Sequence, residues 1–301
     1  MIHVFGHLSP DSDSICSAVL AAHWLNARGF DAQGFRPGDA SRETRFIFEQ
    51  AGLALPPLLD KPLKEESVYL VDFCEQEQGP ADLVDARLVG LVDHHRMGTL
   101  QSRGPLEAWM MPLGSTASVL FELYQIHKVE LSQPLAVLML GALLSDTVGL
   151  KSPTTTARDR ELVDLLGPIA GLDVERFTAE LLVAKTDLAG MGVDALLDKD
   201  VKSFEFGGKS LTVAQLELAD FSQTEAVEAE MASTLEARVA ASGLDVAVLM
   251  LTNIRSEQTR LIVAGPAATL LRDAKQGELV FENCLSRKKQ MLPWLNQVFT
   301  A

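Results

Sequence analysis

The chain has 301 residues, of which 47% are hydrophobic and 22% charged, and its formal net charge is −15. This composition excludes wholesale disorder and provides for a large core, which at this length is expected to divide into two domains. The acidic balance excludes the basic stripe with which a duplex-binding protein displaces counterions, so a small anionic ligand is expected and no nucleic-acid partner.

Residues 2–5 form a short apolar strand pattern. Residues 14–28 carry Ile15, Ala18, Val19, Ala22 and Leu25 at helical spacing and stop at Gly29. Residues 68–71 and 88–92 read as buried strands, and residues 116–127 as an amphipathic helix through Val119, Leu120, Leu123 and Ile126. Residues 134–144 are apolar all round, which predicts a fully buried helix. Strands interleaved with helices predict right-handed crossovers, hence an α/β domain with a mainly parallel sheet flanked by helices.

The last third changes character. Residues 202–206 and 211–218 flank Gly207-Gly208 as a β-hairpin would. Ser222 and Glu225 predict a capping box opening a helix through Val227, Met231, Leu235 and Val239. Residues 246–251 and 261–263 are strand-like, so a smaller α+β domain is expected. The boundaries read as 1–188 and 194–301, with a hinge linker at 189–193, because residues 186–193 hold two glycines and few apolar anchors. Cys16, Cys74 and Cys284 are scattered, which argues against a disulfide framework or a cysteine zinc site. The longest apolar run, 135–144, is half of the roughly 20 residues a membrane span needs, and the first residues lack a signal-peptide pattern. A cytoplasmic protein without a membrane partner is expected.

The informative pattern is where acids and histidines fall. The strand at 2–5 runs into Gly6-His7, with Asp11 and Asp13 close behind; the strand at 68–71 runs into Asp72; the strand at 88–92 runs into Asp93-His94-His95. Parallel strands bring such ends to one sheet edge, where open α/β sheets bind ligands. Asp146 ends the apolar helix, and an acid there is costly to bury unless it is paired or holds a metal. His7, Asp11 and Asp13 suit a tight loop before a helix, Asp72 suits a bridging role, and His94 with Asp146 completes a second metal position. Mixed imidazole and carboxylate ligands favour Mn, Co or Zn over Mg. Two ions about 3.5–4 Å apart activate one water and clamp a phosphoryl oxygen. Each element alone has an ordinary reading: Asp11 or Asp13 as a helix cap, Asp93-His94-His95 as a surface turn, Arg287-Lys288-Lys289 as a solvated basic turn. Three such features at three strand ends are hard to assign to coincidence.

In chain order, Gly6-His7-x-x-Pro10-Asp11-x-Asp13-x-Ile15, Asp72, Asp93-His94-His95, Ser145-Asp146-Thr147, the run Lys151 to Thr156 and Ser286-Arg287-Lys288-Lys289-Gln290 resemble the DHH phosphoesterase superfamily. Within it the chain is similar to the family II, manganese-dependent inorganic pyrophosphatases, with a DHHA2-type C-terminal domain. A glycine-rich G-G-G-H motif of nuclease-like relatives is absent. The resemblance implies an active site in the cleft between the domains. It implies that His7, Asp11 and Asp72 hold one metal, and that Asp13, Asp72, His94 and Asp146 hold the other. It implies that His95 faces the substrate as a hydrogen-bond or proton donor, with Asp72 and His95 as the catalytic residues. It implies that Lys202, Arg287 and Lys288 neutralise phosphate oxygens, Lys289 being left as a solvated charge. It further implies two Mn²⁺ per subunit with Co²⁺ as a possible substitute, an additional Mg²⁺ arriving with pyrophosphate, and a homodimer through the first domain.

Where many family members carry Asp-His-Asn or Asp-His-Thr, this chain has Asp72-Phe73-Cys74. The change predicts a lost hydrogen bond beside the bridging acid, with metal affinity about 10–100-fold weaker, and a thiol able to approach the metals; the plain alternative is that Phe73 packs against the sheet. Pyrophosphate hydrolysis by a metal-activated hydroxide is the leading expectation. Its rivals are an exopolyphosphatase, a phosphodiesterase of the same superfamily and a metal-binding regulator that has lost catalysis.

Overall fold

A computed structural model describes residues 1–300, which divide into two compact units, Met1–Lys185 and Thr186–Ala301. The first contains β1 (Ile2–Phe5), α1 (Ser12–Ala27), β2 (Ala32–Gly34), α2 (Arg42–Ala51), β3 (Ser67–Val71), β4 (Arg87–Asp93), β5 (Glu107–Met110), α3 (Thr116–His127), α4 (Gln133–Asp146), α5 (Ala157–Ala170) and α6 (Val174–Lys185). The second contains α7 (Val193–Leu197), β6 (Val201–Phe206), β7 (Lys209–Leu218), α8 (Ser222–Glu225), α9 (Glu228–Ser242), β8 (Val246–Asn253), β9 (Gln258–Ala264), α10 (Ala268–Lys275), β10 (Val280–Phe281) and α11 (Leu292–Thr300).

The first sheet has the order β2-β1-β3-β4-β5, and every pairing in it is parallel. The expected α/β architecture is therefore present, with β1, β3 and β4 as neighbours. Side chains alternate across these strands. Val4, Tyr69, Val71 and Val92 pack with α1, α3 and α4, whereas Phe5, Val68, Leu70 and Leu91 pack with Phe35, Leu63, Phe73 and Leu83 on the other face. The all-apolar helix α4 is buried from Leu135 through Ser145, against α1, α2, α3, α5 and α6. Among the described residues no helix is long and apolar enough to cross a membrane.

The second sheet has the order β10-β9-β8-β7-β6; only β7 and β8 run parallel, so it is mixed, as an α+β domain requires. The hairpin expected around Gly207-Gly208 is formed by β6 and β7, both glycines having positive φ, 56° and 71°, as a tight primed turn demands. The capping box expected at Ser222 is not. Asp220 accepts the Ser222 N–H (2.9 Å), and Gln223 Oε1 accepts from the N–H groups of Ala219 (2.7 Å) and Asp220 (3.0 Å), so α8 is one isolated turn and the long helix starts at Glu228. The segment read as poor in anchors is also better held than its composition suggests: Leu188, Met191 and Val193 pack against the core of the second unit.

A register shift between Val68 and Tyr69 places Gly90, not Val89, opposite Tyr69. A Cβ on Gly90 would stand 2.3 Å from Tyr69 Cε2 and 2.8 Å from the Glu107 carbonyl oxygen. The buried Tyr69 ring fills the space that the missing side chain leaves. Gly90→Ala is expected to cost about 1–3 kcal/mol through overpacking, read as a lower urea midpoint at unchanged slope; native stability would contradict this packing.

Candidate metal centre

Three neighbouring parallel strands deliver the site. β1 ends at Phe5 and the chain continues through Gly6 to His7; β3 ends at Val71, before Asp72; β4 ends at Asp93, before His94 and His95. Asp11 and Asp13 stand at the start of α1, and Asp146 is the last residue of α4. The structure thus brings together all six expected metal ligands, with His95 beside them, in three overlapping groups: His7 with Asp11 and Asp72, Asp13 with His94 and Asp146, and Asp72 with His94 and His95.

Asp72 lies at the centre. Its Oδ2 is 3.5 Å from His7 Nε2, and its Oδ1 is 3.5 Å from His94 Nε2. One carboxylate therefore turns its two oxygens toward two different imidazoles. Asp146 Oδ2 is 3.3 Å from His94 Nε2, and Asp11 Oδ2 is 3.8 Å from His7 Nε2. These separations match those between two donors on one ion held at about 2.1 Å. Asp72 reaches this position with φ of 66°, a left-handed conformation costing on the order of 1 kcal/mol, of which aspartate is one of the more tolerant bearers. After Asp146 the chain again turns left-handed, at Val148 (52°), Gly149 (63°) and Leu150 (67°). For a β-branched valine this is an unusual conformation, and it sits directly behind a ligand.

The electrostatics ask for cations. Asp13 and Asp72 are 1% and 2% exposed. Burial first, then the negative charges of Asp72, Asp146 and Asp11, push the Asp13 carboxyl well above the usual carboxylate range, against the pull of the Thr116 N–H. His7 Nε2 is buried and makes no hydrogen bond. An orphaned imidazole nitrogen among carboxylates is what a ligand set looks like without its ion, and mixed N and O donors suit manganese. The residues fit two divalent cations.

Neighbouring groups hold these ligands in place. His94 Nδ1 donates to the Leu113 carbonyl (3.0 Å), which leaves its Nε2 lone pair aimed at Asp72 and Asp146. His95 Nδ1 donates to Asp93 Oδ1 (2.8 Å), and the same oxygen accepts the His95 N–H (2.9 Å), so Asp93 fixes the ring and leaves Nε2 for a ligand. Asp13 accepts N–H groups from the first turn of α3, Thr116 (2.6 Å) and Ala117 (3.0 Å), a favoured place for an anion. The Thr116 hydroxyl donates to Asp72 Oδ1 (3.0 Å). Asp159, fully buried, accepts from Gly114 N–H (2.9 Å) and Ser118 Oγ (2.7 Å) and so ties down the loop that holds His94. Asp93 belongs to the Asp93-His94-His95 motif, but Thr116 and Asp159 are not singled out by the sequence reading. Only Asp159 leaves a signal there, as the last member of the capping box that Thr156 opens. Asp11 unites its two readings: Oδ1 caps α1 through Ser14 N–H (2.9 Å), and Oδ2 faces His7.

The cationic residues belong to the second unit. Lys202 lies on β6 opposite Val213 in the sheet register, and Arg287 NH1 donates to the Val213 carbonyl (3.1 Å), so these two share one patch. Lys288 is half-buried one residue on, and Lys289 is exposed.

Of the two readings of Phe73, packing against the sheet is the one seen. Phe73 is buried in the apolar cluster on the sheet face away from α1 and α3, where an imidazole would meet carbon. The Cys74 thiol donates to the Arg96 carbonyl (2.7 Å), so it is turned to the backbone, and burial, then Asp93 and Glu75, push it up to about 12. Phe73→His is expected to lower stability by about 2–4 kcal/mol without raising manganese affinity. Thermal unfolding and metal titration check this together; tighter metal binding by the variant would restore the idea of a missing hydrogen bond.

Comparison with known proteins agrees with this geometry. The DHH family, N-terminal domain, matches residues 1–144, and the DHHA2 domain matches residues 179–298. The manganese-dependent inorganic pyrophosphatase of Methanocaldococcus jannaschii is 35% identical over 100% of both chains. A probable manganese-dependent inorganic pyrophosphatase of Exiguobacterium sp. is 35% identical over 99% of this chain and 98% of its own. The crystal structure of a putative family II inorganic pyrophosphatase from Methanococcus jannaschii superposes with a TM-score of 0.90 at 34% identity, covering 100% of both chains. An exopolyphosphatase-related protein from Bacteroides fragilis shares the fold alone, with a TM-score of 0.52 at 13% identity over 99% of this chain and 91% of its own.

Proposed function

The chain belongs to the manganese-dependent inorganic pyrophosphatase family, with a DHH domain followed by a DHHA2 domain, and we propose from that premise that it is a hydrolase splitting inorganic pyrophosphate into two phosphates. The observation that carries the reading is the division of Asp72 between His7 and His94. That division supports two manganese ions: one held by His7, Asp11 and Asp72, the other by Asp13, Asp72, His94 and Asp146. Co²⁺ is a substitute with the same donor preferences, and an additional Mg²⁺ accompanies the substrate. When bound, such ions supply Lewis acidity and ease the ionisation of water.

The chain's own residues do the rest. Asp72 sets the spacing of the two positions, held by the Thr116 hydroxyl and by its own backbone conformation. His95, 22% exposed in its side chain, presents Nε2 while Asp93 holds Nδ1, which suits it to donate a hydrogen bond or a proton to a phosphoryl oxygen. Lys202, Arg287 and Lys288 are assigned to the substrate's phosphates, Arg287 as a planar fork and the lysines as compact charges. Residues 189–193 are assigned as the linker between the two units.

A homodimer through the first unit goes with this reading, the sheet having β2 and β5 at its edges. A reducing, cytoplasmic setting fits three buried free thiols.

Phosphate release from pyrophosphate with Mn²⁺ tests the reading. Native protein is expected to turn over, and Asp72→Asn to lose about 100-fold or more in rate with its fold intact. Retained activity in that variant would remove the bridging role. Faster cleavage of long polyphosphate than of pyrophosphate would overturn the substrate.

A further inference from the structure

Arg287 opens a short π-helical turn, Arg287–Met291, and is 9% exposed. Its guanidinium is already engaged. NH1 donates to the Val213 carbonyl (3.1 Å) and to the Asp200 carbonyl, and NH2 donates to Asp200 Oδ1 (2.8 Å). A guanidinium has five N–H donors, so these three contacts fix its plane and leave a remainder for a phosphate oxygen.

Asp200 is shaped for this contact. It directly precedes β6 and adopts φ of 49°, a left-handed conformation that costs a non-glycine residue on the order of 1 kcal/mol. In that conformation its carbonyl and its carboxylate both meet the same guanidinium. Lys202 follows two residues later on the strand that pairs with Val213. An anion is thus built into the patch whose other charged groups are cations assigned to phosphate.

We propose that Asp200 is a positioning residue for Arg287: it fixes the guanidinium fork and offsets part of its charge, so that the patch binds pyrophosphate loosely enough to release phosphate. The proposal rests on the assignment of Arg287 to the substrate's phosphates. Two backbone carbonyls already hold the arginine, so a structural tie alone would not require a carboxylate. A carboxylate instead lowers the field an incoming anion meets, and it reduces affinity for every phosphate species.

The experiment uses the full-length protein loaded with Mn²⁺ and reads KM for pyrophosphate, Ki for inorganic phosphate and Tm. Asp200→Asn keeps an acceptor for NH2 and removes the charge. KM and Ki are expected to fall together by about fivefold, and Asp200→Glu is expected to bring both back toward native values. Asp200→Ser removes the charge while sparing both carbonyl contacts, and it gives the same direction should the amide variant fail to fold. Native KM and Ki with only a lowered Tm, or weaker binding of both anions, would overturn the proposal. Arg287→Gln separates the two claims. If it weakens both anions while Asp200→Asn is native, the proposal alone fails. If it leaves KM and Ki untouched, the assignment of Arg287 to phosphate fails, and the proposal falls with it.

Discussion

Four carboxylates share a small space, two of them buried, and their repulsion is the constraint to which the first unit answers. Asp13 and Asp72 are almost fully buried, and Asp11 and Asp146 approach the same two imidazoles. Crowding like charges together in a buried place is costly to a fold. The direction in which the Asp13 carboxyl is pushed registers that cost. Held together by strand ends and helix termini, the acids cannot separate, so the favourable resolution is positive charge from outside the chain. Under the proposed function, the same unresolved repulsion that makes the apo site unfavourable is what makes it bind divalent cations.

The parts around the ligands serve that constraint in two ways. Some supply partial positive charge: the first turn of α3 offers two N–H groups to Asp13, and the Thr116 hydroxyl leans on Asp72. Others fix direction. Leu113 and Asp93 each take the Nδ1 proton of a histidine, which decides where its other nitrogen points. Asp159 sets the loop that carries Leu113, so a residue far along the chain controls the orientation of His94. In the second unit the signs are reversed: the buried Arg287 guanidinium is paired with the Asp200 carboxylate.

Much of this is legible in the sequence, and the reasons differ by residue. His7, Asp72 and His94 could be placed together because parallel strands point their carboxyl ends the same way, so three strand ends define one edge. The burial of α4 followed from its lack of a polar face, which put Asp146 at the end of a core helix. Thr116 carried no mark, because its role depends on α3 meeting α1, a matter of tertiary packing. Phe73 lies just beyond β3, where strand alternation would place it on the face of Tyr69 and Val71; the left-handed backbone at Asp72 breaks that alternation, and Phe73 joins the apolar cluster on the other face, which no motif could reveal. Ser222 with Glu225 matches a capping pattern, but Asp220 takes the Ser222 N–H that Glu225 would have to reach. Local competition between nearby acceptors is invisible to a spacing rule. The Asp200–Arg287 contact joins residues distant in sequence, and neither its left-handed backbone nor its partner could be read from composition.

Anomalous diffraction from crystals grown with manganese measures the central claim directly. Two peaks are expected about 3.5–4 Å apart, with one oxygen of Asp72 on each, His7 and Asp11 beside the first, and His94 and Asp146 beside the second. A single peak, or two peaks not joined through Asp72, would contradict the account.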